Sequence, residues 1–162
     1  MFSIISTRYT DETLNEKREF MEAHNLDGCL YGAPQPPSPK IMLDTLMFVI
    51  EMNNSKNRIE GIGLIRNKAI TDKYYKIYND ANFNRYIYGS KYFIERETLE
   101  RYNNDVVKIF DYILFKEKTH LKRGCGFTTV PQKLLNHKIC NGLDLKKELQ
   151  NIFLQHFPKV TT

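Results

Sequence analysis

The chain has 162 residues, 41% of them hydrophobic and 27% charged, which suits one domain with a real core and a soluble surface. Lys and Arg number 24 against 19 Asp and Glu, for a net charge of +5 and a pI near 9.0; this is a mild lean toward polyanions that carries weight only once the charge is placed on a surface. Cys29, Cys125 and Cys140 are too few and too widely spaced for a disulfide framework, so a reducing compartment is expected.

Phe2–Ser6 reads as a short first strand. Thr10 followed by Asp11 and Glu12 is an N-cap with an acidic first turn, and it predicts a helix to about His24. Residues 25–40 carry Gly28, Gly32, Pro34, Pro36, Pro37 and Pro39 and are expected to be irregular, with Tyr31 packing the loop onto the core.

The stretch LMFVIEMNNSKNRIEGIGLIRN, residues 46–67, predicts a strand, a tight turn at Asn53–Asn57 and a second strand. Gly61 and Gly63 fall on one face of that second strand and leave it bare, either for a sharp bend or for close approach by another backbone or a ligand. A further strand is expected at Tyr74–Tyr78, and another along RYIYGSKYFI, residues 85–94. Basic and aromatic residues interleave here, which suits either half-buried strands or a surface that stacks bases and meets phosphates.

Helical spacing of Leu99, Tyr102, Val106, Ile109, Phe110 and Ile113 predicts a helix from Thr98 to about Phe115. RGCGFTTV is a glycine turn entering a strand, Pro131 opens a short helical turn, and Leu143–Phe157 is a last amphipathic helix. No apolar run reaches the roughly 20 residues that span a bilayer. The first residues lack the pattern of a signal peptide, so an intracellular, soluble protein without membrane partners is expected.

Phosphate-loop, dinucleotide, nucleophile-elbow and HExxH motifs are all missing, so no cofactor is expected and an enzyme is disfavoured. His120, Cys125, His137 and Cys140 fall within 21 residues and are candidate zinc ligands of unusual spacing; surface histidines and a small buried thiol are the alternative. Cys29 or Cys125 with His24, His120 or His137 would make a nucleophile and base, though nothing marks one pair. The basic run KEKTHLKRG precedes a glycine turn and suits a phosphate as well as a solvated helix end.

Three stretches resemble the PUA-like superfamily, in particular its EVE and YTH branches. LMFVIEMNNSKNRIEGIGLIRN is similar to the strand–turn–strand core of those domains, FSIISTRYTDE to the first strand and helix start, and HLKRGCGFTTVP to the last barrel strand. The resemblance implies an α+β fold: a small mixed β-barrel with helices packed outside, forming one domain over 1–162 with a C-terminal helical extension at about 141–158. It also implies a module for RNA or DNA that holds a flipped or modified base in an aromatic cage.

The YTH cage is mainly Trp, and this chain has none. Tyr31 falls where the first cage residue would lie, and a second ring would come from Tyr74, Tyr75, Tyr86 or Tyr88. Asn53, Asn54 and Ser55 match the polar turn and would bond the base. Arg66, Lys91, Lys122 and Arg123 would meet phosphates. Two other functions fit the same residues: an ASCH-type PUA-like enzyme acting on RNA or nucleosides, and a protein-interaction module, viral in origin.

Overall fold

The structure, a computed structural model, describes residues 2–158. The chain runs β1 (Phe2–Tyr9), α1 (Asp11–Ala23), β2 (Cys29–Ala33), β3 (Leu46–Asn53), β4 (Arg58–Arg66), β5 (Tyr86–Ser90), β6 (Phe93–Glu95), α2 (Arg96–Phe115), β7 (Thr128–Thr129), α3 (Gln132–Leu135) and α4 (Leu145–His156). It is a mixed α+β fold. Five strands form one sheet in the order β6-β4-β3-β1-β7, and β2 and β5 form a separate antiparallel pair. Within the larger sheet β1 and β3 are parallel, with Phe2 opposite Leu46 and Tyr9 opposite Asn53; the other pairings are antiparallel.

Both faces of the large sheet are covered, so β3 and β4 are nearly continuous apolar runs rather than alternating ones. On one face Ile4, Phe48, Ile50, Met52, Ile62 and Leu64 pack against the apolar stripes of α2 and α4. Phe153 of α4 is buried there with its ring 5.1 Å from that of Phe48. Fully burying such a side chain contributes about 1.5–3 kcal/mol, so α4 is part of the core and not an appendage to it. Arg96 at the start of α2 grips Asp111 through two bonds of 2.7 and 3.0 Å. Both residues also bond Ile59, Arg96 at its carbonyl and Asp111 at its N–H.

The other face carries Ile5, Tyr9, Met47, Val49 and Ile65 and is covered by α1 and the β2–β5 pair. The N-cap of α1 is Thr10, in a reciprocal capping box with Thr13, and the Ser55 hydroxyl accepts the free N–H of Asp11. The two sheets are joined at one side by Leu64 N–H to Tyr92 O (2.9 Å) and by the Ser90 hydroxyl to Leu64 O. At the other side Gly126, just before β7, lies against Ala33 and Pro34 at the end of β2.

Several boundaries differ from expectation. Residues 25–40 contain a buried strand, β2: Gly28 and the four prolines flank it, and the one internal glycine, Gly32, lies where any side chain would strike the Phe83 carbonyl. Tyr74–Tyr78 form no strand. The 85–94 segment is two strands broken at Lys91–Tyr92, because it passes from β2 to β4. Asn103 interrupts α2 with φ −161° and ψ 94°, its Oδ1 accepting the Val106 N–H, so that α2 restarts from an internal cap.

Candidate functional site

At the Tyr9 end of the sheet, a cavity of about 280 Å³ opens between the exit of β1 and the loop before β7. Thr7–Thr10 form one wall, Thr13 and Glu16 of α1 a second, and Gly124–Gly126 a third. Gly32, Tyr78, Asp80, Phe83 and Asn54 complete it. The volume is near the lower end of what holds a small ligand. Tyr9 and Tyr78 are buried, with their hydroxyls 3.5 Å apart, while Phe83 is half-buried with its ring nearly perpendicular to that of Tyr78.

Arg8 fixes the third wall. Its guanidinium donates to the carbonyls of Leu121, Gly124 and Gly126 at 3.2, 3.2 and 2.9 Å, and to the Thr128 hydroxyl at 2.8 Å. Four of its five N–H donors are thus committed, all to neutral acceptors. Burial lowers its pKa, partly offset by the neighbouring Cys125. Gly124 and Gly126 take φ of +96° and +70°, and this is what lets so short a loop turn its carbonyls onto one side chain.

Asn54 ties the turn between β3 and β4 to the same loop, its Nδ2 donating to Lys122 O at 2.8 Å. Its Oδ1 is shielded from solvent and accepts no bond from the described residues. Glu16 accepts one bond, from Asn79 N–H, and Asp80 accepts one, from Asn82 N–H. Neither carboxylate has an ion-pair partner among the described residues.

Of the residues singled out in the sequence, Asn54 and Cys125 line this cavity; Lys122 and Arg123 do not line it but precede Gly124 in the loop that walls it, Lys122 through its carbonyl bonded to Asn54. Asn53 is buried and spent on the turn, bonding Asp11, Glu60 and the N–H groups of Ser55 and Lys56. Ser55 is spent on the start of α1.

Tyr31 is a correction to the expected cage. It is 0% exposed and donates its hydroxyl to Glu51 at 2.7 Å, so its ring presents no face to solvent. Tyr88 is its β5 partner, also buried, and Tyr86 pairs with Ala33. Tyr88 belongs to the core under the β2–β5 pair and Tyr86 packs against that core half-buried; neither lines the cavity.

Arg66 pairs with Leu46, at the opposite end of the sheet, and bonds Asp44 O. Lys91 lies beside Gly28, at the far end of β2 from Gly32. The structure does not bring either to the cavity.

Arg8, Glu16, Asp80 and Phe83 are the functional candidates that sequence reasoning missed. Arg8 was visible only as part of the first-strand exit, since its partners lie 113 to 120 residues away.

The four candidate zinc ligands are dispersed. Cys140 is buried in the helix-side core, His137 lies against Glu117 and Tyr112, and Cys125 is exposed at the cavity. No group of three or more His, Cys, Asp or Glu among the described residues is placed to hold a metal. No helix among those residues is long and apolar enough to cross a membrane.

A second polar cluster lies inside the domain. Lys17 of α1 donates to Glu51 of β3 at 2.8 Å, and Glu51 also accepts from Tyr31. Burial, together with the nearby Glu51 carboxylate, pushes the Tyr9, Tyr31 and Tyr78 phenols above their usual range. Burial also raises the Cys29 thiol. Lys17 and Glu51 form the floor of another cavity, of about 510 Å³, rimmed by Arg18, Arg58, Glu60 and Glu95.

Fold and geometry thus define an α+β domain with a small cavity at one end of its central sheet. No protein-family model matches the chain, and neither a curated protein nor a solved structure matches it.

Proposed function

We propose that the chain is a nucleic-acid-binding module of PUA-like build, lodging one base of RNA or DNA in the cavity between Arg8 and Asn54. One observation carries the reading. The three stretches that resemble PUA-like domains, widely separated in sequence, converge on a single cavity: the exit of β1, the polar turn at Asn54 and the glycine loop at 124–126. The bonds joining the two sheets at Leu64 and the approach of Gly126 to β2 favour a barrel-like closure. Phe83 and Tyr78 take the stacking role expected of Tyr31. Lys122 and Arg123 meet phosphates at the rim, where salt screens them strongly.

The test is binding of labelled single-stranded RNA and DNA, unmodified and base-methylated, across a salt series. A Lys122→Ala/Arg123→Ala variant is expected to lower affinity and to reduce the salt slope by roughly 1 for each phosphate no longer neutralised. An unchanged slope removes the phosphate assignment, and absence of binding at low salt removes the reading.

A second reading is an enzyme acting on RNA or nucleosides. It is favoured by the buried Lys17–Glu51–Tyr31 cluster beneath the larger cavity, since buried, charge-coupled groups at a cavity floor are frequent in catalytic sites. Turnover of a nucleoside by the pure protein, lost in a folded Glu51→Gln variant, would establish it.

A further inference from the structure

We infer that the turn at residues 40–45, just ahead of β3, docks on an anionic membrane surface: Met42 and Leu43 enter the interface while Lys40, Arg66 and Lys68 meet lipid phosphates. The inference stands apart from the nucleic-acid reading. Arg66 lies at the end of the sheet opposite the cavity, so neither surface depends on the other.

Met42 and Leu43 are 73% and 80% exposed, more than any other large hydrophobic side chain among the described residues. Single exposed apolar side chains are ordinary; an adjacent pair held firmly out in water is not. Asn67, buried just past the end of β4, does the holding. Its side-chain amide donates to the carbonyls of Ile41 and Met42 at 3.1 and 3.3 Å. Its N–H donates to Thr45 O at 2.8 Å, and its carbonyl accepts the Asp44 N–H at 3.1 Å. The Thr45 hydroxyl donates to Met42 O at 2.7 Å, and Arg66 donates to Asp44 O at 2.9 Å. Asp44 takes φ +65°, a left-handed conformation that a non-glycine residue adopts only when its surroundings hold it there. Ile41, next to the pair, is buried in the core. The backbone is thus fixed on both sides of two apolar side chains that stay in solvent.

The charge beside the pair selects the partner. Lys40, Arg66 and Lys68 are exposed, against one exposed acid, Asp44. None of the four forms an ion pair with another described residue. Unpaired cations around an apolar tip complement a surface that is anionic on top and apolar beneath. Long Lys and Arg stems let the charged heads stay at the phosphates while the tip goes deeper. A protein partner fits less well, because two side chains are a small part of the ~800 Å² that each side of a stable protein complex buries. The turn is already ordered, so docking costs it little conformational freedom. Docking of this kind needs no spanning helix. It departs from the sequence-based expectation of no membrane partner, and it gives Arg66 the phosphate role that its distance from the cavity denies it there.

The test uses the whole chain with vesicles of phosphatidylcholine, alone or with about one-third phosphatidylserine. Co-sedimentation should show binding to the anionic vesicles that weakens as salt rises, and at least about tenfold weaker binding to the neutral ones. Met42→Ser/Leu43→Ser should lower the affinity by at least about tenfold, and Lys40→Ala/Lys68→Ala by about tenfold. These four side chains are exposed, so thermal melts of both variants should match that of the unaltered chain. The chain has no Trp, so Leu43→Trp places a lone indole at the tip. Its emission should shift to the blue on anionic vesicles and be quenched by brominated acyl chains.

No binding of the unaltered chain to anionic vesicles at low salt overturns the inference. So does binding that Met42→Ser/Leu43→Ser retains in full, which would be adsorption through the net charge of +5 alone. An indole that stays silent with vesicles but shifts with rising protein concentration in their absence also overturns it, and shows that the tip seats in a second copy of the chain.

Discussion

The Lys17 ammonium lies 2.8 Å from the Glu51 carboxylate with the two side chains only 5% and 2% exposed, and the rings of Tyr9, Tyr31 and Phe93 surround it at 4.8, 5.4 and 5.8 Å. Removing one partner strands a charge in the interior. Lys17→Met or Glu51→Leu alone should therefore cost about 3–5 kcal/mol, whereas the double variant should cost much less than the sum. Urea unfolding of the four proteins gives the coupling. Additive costs would show that the two charges act independently.

The bare face of β4 is filled by the protein itself. A Cβ on Gly63 would meet the Tyr31 hydroxyl and lie 2.8 Å from Cys29 Sγ, and one on Gly61 would strike the Phe93 ring. Gly63→Ala is expected to displace Tyr31 from Glu51 and destabilise by about 1–3 kcal/mol. Tyr31→Phe, which removes the hydroxyl, should relieve part of that loss; a double variant no more stable than Gly63→Ala would count against the packing account.

Alkaline pH should unfold the protein through its buried phenols. Tyr9, Tyr31 and Tyr78 have raised pKa values in the folded state against an ordinary value of 10.0. Below that value both states hold the protons and stability is undiminished. Above it the unfolded chain releases protons that the folded chain keeps, so stability falls, by up to about 1.4 kcal/mol per pH unit for each phenol. Denaturant midpoints measured from pH 8 to 11 should drop steeply in the upper part of the range. In ultraviolet titration, part of the tyrosinate signal should appear only on unfolding. A flat midpoint, or smooth titration of all 10 tyrosines in the folded protein, contradicts the assignment.

Arg8 holds the loop that walls the cavity. Lysine there keeps the charge and loses the planar fork that reaches four acceptors. Arg8→Lys is expected to speed amide hydrogen exchange across residues 121–128 by tenfold or more, which corresponds to about 1.4 kcal/mol in local stability, while β3 and β4 keep their protection. Unchanged exchange in the loop would mean that its own glycine turns hold it.

What the sequence disclosed is local. The β3–turn–β4 hairpin was legible because two apolar runs and the Asn-rich turn between them are written side by side. The N-cap of α1 and the stripe of α2 were legible for the same reason. A bare face at Gly61 and Gly63 was legible, but not its cause: the sequence left a sharp bend or the approach of a backbone or ligand open, and the rings of Phe93 and Tyr31 fill it. β2 was hidden by the prolines and glycines that flank it and the glycine inside it, and its pairing with β5 is made more than 50 residues away. Tyr31 looked like a cage residue because nothing nearby in sequence announces Glu51 as its partner. The cavity itself is assembled from six separate segments, so of its lining only Asn54 and Cys125 are singled out by local chemistry.

The position of β1 has a consequence for how the protein is made. It lies between β3 on one edge and β7 on the other, and Ser6 pairs with Thr128. During synthesis β1 leaves the ribosome before either neighbour exists and waits for some 120 further residues before its second edge is paired. Long-range pairings of this kind form slowly and leave an open strand edge in the meantime. The nascent chain therefore depends on α1 and β3 to shelter its first strand until the glycine loop, drawn in by Arg8, delivers β7.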